Sequence, residues 1–204
     1  VQQGGKRMGI YLNPDHTDFQ RSLNSEIYID KTELIAYTNK KLNTEQGYIC
    51  VSRPRRFGKS MAANMLTAYY SRGCDSKKMF QNLKIAKSAD FEKYLNQYNV
   101  IHLNMQNYLT EAKTVQQLIQ FIEEDLLDEL EQEFSELRMP RRKTLVKVLE
   151  QTFAQFRIPF IFVIDEWDCI FRVHKNDLES QKLYLDFLRN LLKDQSYVAL
   201  AYMT

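Results

Sequence analysis

Four short apolar runs, separated by stretches of helical periodicity, leave this chain little choice of architecture. The runs cover residues 48–51, 100–105, 160–164 and 197–202. Between them, Met61, Met65, Leu66 and Tyr69 recur at helical spacing over 61–70, and Leu118, Ile119, Ile122, Leu126, Leu127 and Leu130 line one face of 115–134. Two more helices are expected over 144–156 and 181–193. The run 160–164 contains no polar residue, the pattern of a strand covered on both faces. Strands alternating with helices predict a mainly parallel sheet with right-handed crossovers between two helical layers, a three-layer α/β sandwich. Ligands of such sheets bind beyond the carboxyl ends of the strands. The residues that follow each run therefore carry the functional argument.

The first run leads into Ser52-Arg53-Pro54-Arg55-Arg56-Phe57-Gly58-Lys59-Ser60, which reads as a tight basic loop opening a helix. A loop that cradles phosphates needs glycine where backbone approaches the anion, lysine to reach the β and γ phosphates, and a hydroxyl for magnesium. Gly58, Lys59 and Ser60 supply these, and the helix beginning near Met61 would aim its positive end at the phosphates. One element departs from the GxxxxGK[ST] pattern, because Arg53 stands where glycine is expected. The tripeptide alone decides little, and a second motif adds weight. The run 160–164 ends in Asp165-Glu166, the layout of a Walker B strand. In that reading Asp165 holds magnesium through water and Glu166 orients and polarises the attacking water. Paired carboxylates at the end of a buried strand are costly unless a cation or ligand uses them. The structural alternative is a buried strand closed by an acidic turn.

These readings predict a P-loop NTPase fold of the additional-strand, catalytic-glutamate (ASCE) type, similar to AAA and STAND domains, binding ATP and Mg2+. Lys59 and Glu166 are the catalytic pair, and Ser60 and Asp165 hold the metal. The nucleotide is expected against Arg53, Pro54, Arg55, Arg56, Phe57, Gly58, Lys59, Ser60 and Met61. The run 197–202 is expected between the two motif-bearing strands, with Thr204 at its end sensing the γ-phosphate. At least one of Arg53, Arg55 and Arg56 is expected to face the nucleotide, since guanidinium matches phosphate oxygens in a bidentate way. Arg172 suits an arginine finger offered to a neighbouring subunit, though one arginine after a strand has many plainer uses. Asp30 and Lys31 stand just ahead of a helix: the plainer reading makes Asp30 its N-cap, with Glu33 completing a capping box, and a further role for the pair stays open. The basic residues Arg138, Arg141, Arg142 and Lys143 around Pro140 read as a solvated loop, and the acids Glu123, Glu124, Asp128, Glu129, Glu131 and Glu133 as a solvated helix face.

The chain has 204 residues, of which 44% are hydrophobic and 26% charged, enough to bury a single core. Its net charge of +2 argues neither for nor against nucleic acid. Cys50, Cys74 and Cys169 are odd in number and widely spaced, so they read as packing residues, and His16, His102 and His174 form no cluster. No apolar stretch reaches the ~20 residues that cross a membrane, and a cytoplasmic location is expected. Residues 1–7 read as a remnant added for expression, 8–46 as an N-terminal extension, and 47–204 as the nucleotide-binding core. The core is expected to be cut after its sensor strand.

Ile27-Tyr28-Ile29-Asp30-Lys31-Thr32-Glu33-Leu34-Ile35, the loop at 52–60, Asn64-Met65-Leu66 and the segment from Ile164 to Asp168 together resemble the predicted AAA-ATPase-like family of bacterial and archaeal proteins. The resemblance covers roughly 8–204, and arginine at the first glycine position is itself a habit of that family. It implies a P-loop ATPase domain, in many members joined to a C-terminal nuclease-like domain of the PD-(D/E)XK type. Beside ATP hydrolysis stand two alternatives. One is a nucleotide-gated switch or interaction module with little turnover; the other is a regulatory ATPase for an attached nuclease that brings in nucleic acid. No membrane partner is expected, and a homo-oligomer is compatible with each reading.

Overall fold

The computed structural model describes residues 9–52 and 58–204. Two N-terminal helices, α1 (Thr17–Leu23) and α2 (Glu33–Asn39), precede β1 (Tyr48–Cys50) and α3 (Lys59–Tyr70). Short helical turns α4 (Lys77–Phe80), Lys84–Lys87 and α5 (Phe91–Tyr94) lead to β2 (Asn99–Asn104) and then to α6 (Met105–Glu111), α7 (Val115–Glu133) and α8 (Leu145–Phe156). The chain continues through β3 (Phe160–Asp165), α9 (Cys169–Val173), α10 (Leu178–Leu192) and β4 (Val198–Met203).

Side chains set the helix boundaries. Thr114 Oγ1 accepts from the Gln117 backbone N–H at 3.1 Å and starts α7, and Thr144 does the same for α8 through Lys147 at 3.4 Å. Asn104 ends β2 and caps α6, its Oδ1 accepting from Gln106 and Asn107. Asp177 accepts from Ser180 at 3.0 Å, which is why α10 begins at Leu178 rather than at the expected 181. Asp30 does not cap α2. Its Oδ1 accepts from Thr32 N and Oγ1 at 2.8 and 2.7 Å, and Glu33 instead pairs with exposed Lys84 at 3.2 Å. Thr32 occupies the cap position, its side chain making no capping bond to α2, and the residues before it form no strand.

The four strands form one parallel sheet in the order β1-β4-β3-β2, so the last strand lies between those that carry the two motifs. Alternation along each strand sends its side chains into two cores. On one face Ile101, Leu103, Phe160, Phe162, Ile164 and Ala201 pack with α6 to α10. On the other, Val100, Ile161, Val163, Ala199 and Tyr202 pack with α1, α2 and α3. The helical layers therefore enclose β3 completely, and all six of its residues are buried.

A hydrogen-bonded cluster inside the second core locks α2 to α3. Tyr70 Oη donates to Asn39 Oδ1 at 2.6 Å and meets Thr38 Oγ1 at 2.7 Å, while Tyr69 Oη donates to the Phe91 carbonyl at 2.7 Å. Satisfied polar networks of this kind specify one packing arrangement where apolar contact alone tolerates several.

Glu129 departs from the solvated role expected of the α7 acids. Its carboxylate accepts from the backbone N–H groups of Ile10 at 2.7 Å, Tyr11 at 3.0 Å and Leu12 at 2.6 Å, pinning the N-terminal segment beside β2. Cys74 and Cys169 are buried as packing residues should be, but Cys50 is exposed at the end of edge strand β1. Among the described residues, no helix is long and apolar enough to cross a membrane.

Candidate nucleotide site

Alternation and register decide which side chains meet at the carboxyl edge of the sheet. Cys50 of β1 lies opposite Met203 of β4, and Met203 lies opposite Ile164 of β3. One step further, Val51, Thr204 and Asp165 form a row across three adjoining strands. The Val51 N–H donates to the Met203 carbonyl at 2.8 Å, and the Thr204 N–H donates to the Ile164 carbonyl at 2.9 Å. Ile164 and Met203 pack on the α6–α10 side, so the next residue of each strand turns to the α3 side. Asp165 and Thr204 are thus carried to the face where α3 begins, with β1 and β3 about 10 Å apart across β4.

The start of α3 is built by Gly58, which sits in the left-handed region at φ 75° and ψ 31° as the N-cap. Glycine adopts that conformation without the Cβ strain other residues meet. Lys59 and Ser60 follow as the first two residues of the helix, Lys59 half-buried and Ser60 exposed, so the N–H groups of this turn face the same edge. Met61, half-buried, folds back with its methyl 3.6 Å from the point a Gly58 Cβ would occupy. A cavity of about 220 Å3 opens beside this turn, lined by Lys31, Leu34, Val51, Lys59 and Tyr202 among others. The expected nucleotide contacts Arg53, Pro54, Arg55, Arg56 and Phe57 lie outside the described residues.

Asp165 is 2% exposed, and its Oδ1 accepts from the Glu166 N–H at 3.0 Å. Thr204 is 1% exposed, and its hydroxyl is one of three buried side-chain polar atoms without a partner among the described residues. A buried carboxylate and an unsatisfied hydroxyl side by side are costly when nothing binds them. The pair suits a ligand or hydrated cation arriving at this edge. Among the described residues no cluster of three or more His, Cys, Asp or Glu side chains is arranged to hold a metal. That donor set fits magnesium, which takes one or two protein oxygens and completes its shell with water and phosphate.

Glu166 leaves the strand at φ 54°, a left-handed conformation uncommon for a residue with a side chain. The turn is held by the Trp167 N–H donating to the Thr204 carbonyl at 3.2 Å. The Glu166 carboxylate meets the Arg172 guanidinium, whose other terminal nitrogen donates to Asp168 at 2.7 Å. Arg172, whose position would also suit a finger offered to a neighbouring subunit, is engaged within its own chain.

A second, larger cavity of about 490 Å3 lies on the far side of α3, where His102, Asn104 and Asp18 face Asn64 and Thr67. His102 Nδ1 and Thr67 Oγ1 are 3.1 Å apart. Burial lowers the His102 pKa below its ordinary 6.5, against the opposing pull of Asp165 and Asp18. Sequence reasoning passed over His102 and the Arg172 clamp. The Asp168–Arg172 spacing of four offered a signal for the clamp, whereas nothing in the chain's order announced that His102 would lie against α3.

Comparison with curated proteins and with solved structures returns no match. The model of one family does match, over residues 16–203, and its description is Predicted AAA-ATPase. That span takes in α1 and α2, the loop and start of α3, the Asp165-Glu166 turn and the whole of β4, and the chain belongs to the predicted AAA-ATPase family.

Proposed function

We propose that this chain binds ATP with Mg2+ at the carboxyl edge of its sheet and hydrolyses the γ-phosphate. The observation that carries the reading is the row formed by Asp165 and Thr204, both buried and both turned to the side on which Gly58, Lys59 and Ser60 open α3. Membership of a predicted ATPase family supports nucleotide use. In this mechanism the first-turn N–H groups of α3 and the Lys59 ammonium bind the phosphate chain. Ser60 and Asp165 would hold Mg2+, which when bound neutralises charge developing on the phosphate oxygens. Glu166 orients the attacking water and takes its proton. Thr204 donates its hydroxyl to the terminal phosphate.

A second reading, a nucleotide-gated switch with little turnover, is favoured by one observation: the Glu166 carboxylate is tied to Arg172. A carboxylate whose oxygen is already taken by a guanidinium is less available to accept a proton from an attacking water. Calorimetry with ATP and Mg2+, paired with phosphate release, separates the readings. The ATPase reading expects Glu166→Gln to bind ATP like the parent and to release phosphate about a hundredfold more slowly or worse. Equal release from both proteins would remove Glu166 from the mechanism. Tight binding with negligible release from the parent would favour the switch.

A further inference from the structure

The geometry points to Lys31 as a second phosphate-binding lysine of the nucleotide site. This rests on the ATP-binding reading above and extends it to a residue 21 positions before Ser52, where the loop begins. Lys31 is an exposed residue ahead of α2, yet its Nζ lies 3.2 Å from the point a Cβ on Gly58 would occupy. Gly58 thus meets two demands: it takes a left-handed conformation, and it leaves room for this ammonium at the mouth of α3.

The neighbours of Lys31 are committed to holding it there. Asp30 Oδ1 accepts from Thr32 at 2.8 and 2.7 Å, and its Oδ2 accepts from the Lys84 N–H at 2.7 Å. Thr32, fully buried, accepts from the Ile85 N–H at 3.0 Å. The Asp30-Lys31-Thr32 turn is therefore anchored on both flanks of the lysine. Downstream, the Tyr70–Asn39–Thr38 cluster fixes the other end of α2 to the other end of α3. Anchoring at both ends sets the separation of Lys31 from Gly58 through rigid elements rather than a loop.

Charge selects the ligand class. Lys31 and Lys59 both line one cavity of about 220 Å3, so two cationic side chains border it. A polyphosphate gains a charge-assisted contact from each lysine. A neutral sugar or base gains neither.

Titrations with ATP and with inorganic tripolyphosphate test the assignment on the parent, Lys31→Ala, Lys31→Arg and Lys59→Ala, with melting curves to establish folding. Lys31→Ala should weaken both probes about ten- to a hundredfold, and Lys31→Arg should recover most of that loss. If Lys59→Ala loses ATP while Lys31→Ala binds both probes like the parent, the Lys31 assignment is wrong and the nucleotide site stands. Weakened ATP with unchanged tripolyphosphate would place Lys31 on the nucleoside and overturn the phosphate role. A parent protein that binds neither probe overturns the nucleotide reading and this one together.

Discussion

Arg172 grips Glu166, the residue proposed to activate water, and anchors itself to Asp168 at 2.7 Å. The two residues are six apart and meet because Glu166 turns the chain at positive φ, allowing α9 to start at Cys169 and bring Arg172 back over the turn. Since both side chains of the Arg172–Glu166 pair are only partly exposed, the contact is less screened than a surface ion pair. Replacing Arg172 with alanine releases the carboxylate. The expected outcome is phosphate release several-fold faster than in the parent with ATP affinity unchanged. Slower release would show that the guanidinium assists the reaction.

Thr204 carries a buried hydroxyl without a partner, a defect that a bound phosphate would satisfy. Thr204→Val keeps the shape and removes the polar atom. In the absence of nucleotide the variant should be more stable, by about 1 kcal/mol, which for a chain of this size is a melting point about 2–4 °C higher. Its turnover should fall about tenfold or more. A variant that loses stability while keeping full activity would contradict both halves of this argument.

Tyr70→Phe removes the donor to Asn39 and the hydroxyl facing Thr38 while leaving the ring in place. An acceptor stranded in the core costs about 1–3 kcal/mol. Urea unfolding should report a loss of that size. A change below about 0.5 kcal/mol would mean that water or a neighbour replaces the bond.

His102 makes stability pH-dependent. Burial favours its neutral form, so the unfolded chain binds a proton more readily than the folded one between the ordinary 6.5 and the lowered folded value. Its contribution is complete above pH 6.5 and is lost as pH falls through that window, at up to about 1.4 kcal/mol per pH unit. His102→Gln should flatten this part of the stability profile. A profile of unchanged slope in the variant would assign the dependence to another group.

Much of the architecture was legible in residue order, because it follows from local periodicity. The unbroken apolar run that became β3 could only be covered on both sides, and the spacing of Leu118, Ile122, Leu126 and Leu130 required one buried face on α7. The position of β4 between β1 and β3 also matched expectation. Boundaries shifted where a side chain bonded to backbone, as Asp177 did in starting α10 three residues early. Asp30 looked like a helix cap because Glu33 follows at the right distance. Its carboxylate bonds instead to Thr32 and, fifty-four residues on, to the Lys84 N–H, a partner no local pattern contains.

By itself the sequence determined the chemistry on offer: a glycine, lysine and serine at a helix start, two carboxylates at the end of an apolar strand, and a threonine after the last one. Strand parity and helix spacing are short-range properties, and residue order encodes them directly. Only the tertiary structure decided that Asp165 and Thr204 share a face with the start of α3, that Arg172 closes on Glu166, and that Lys31 arrives beside Gly58. Those meetings depend on strand order, register and the locking of α2 to α3, which arise from contacts between segments far apart in the chain.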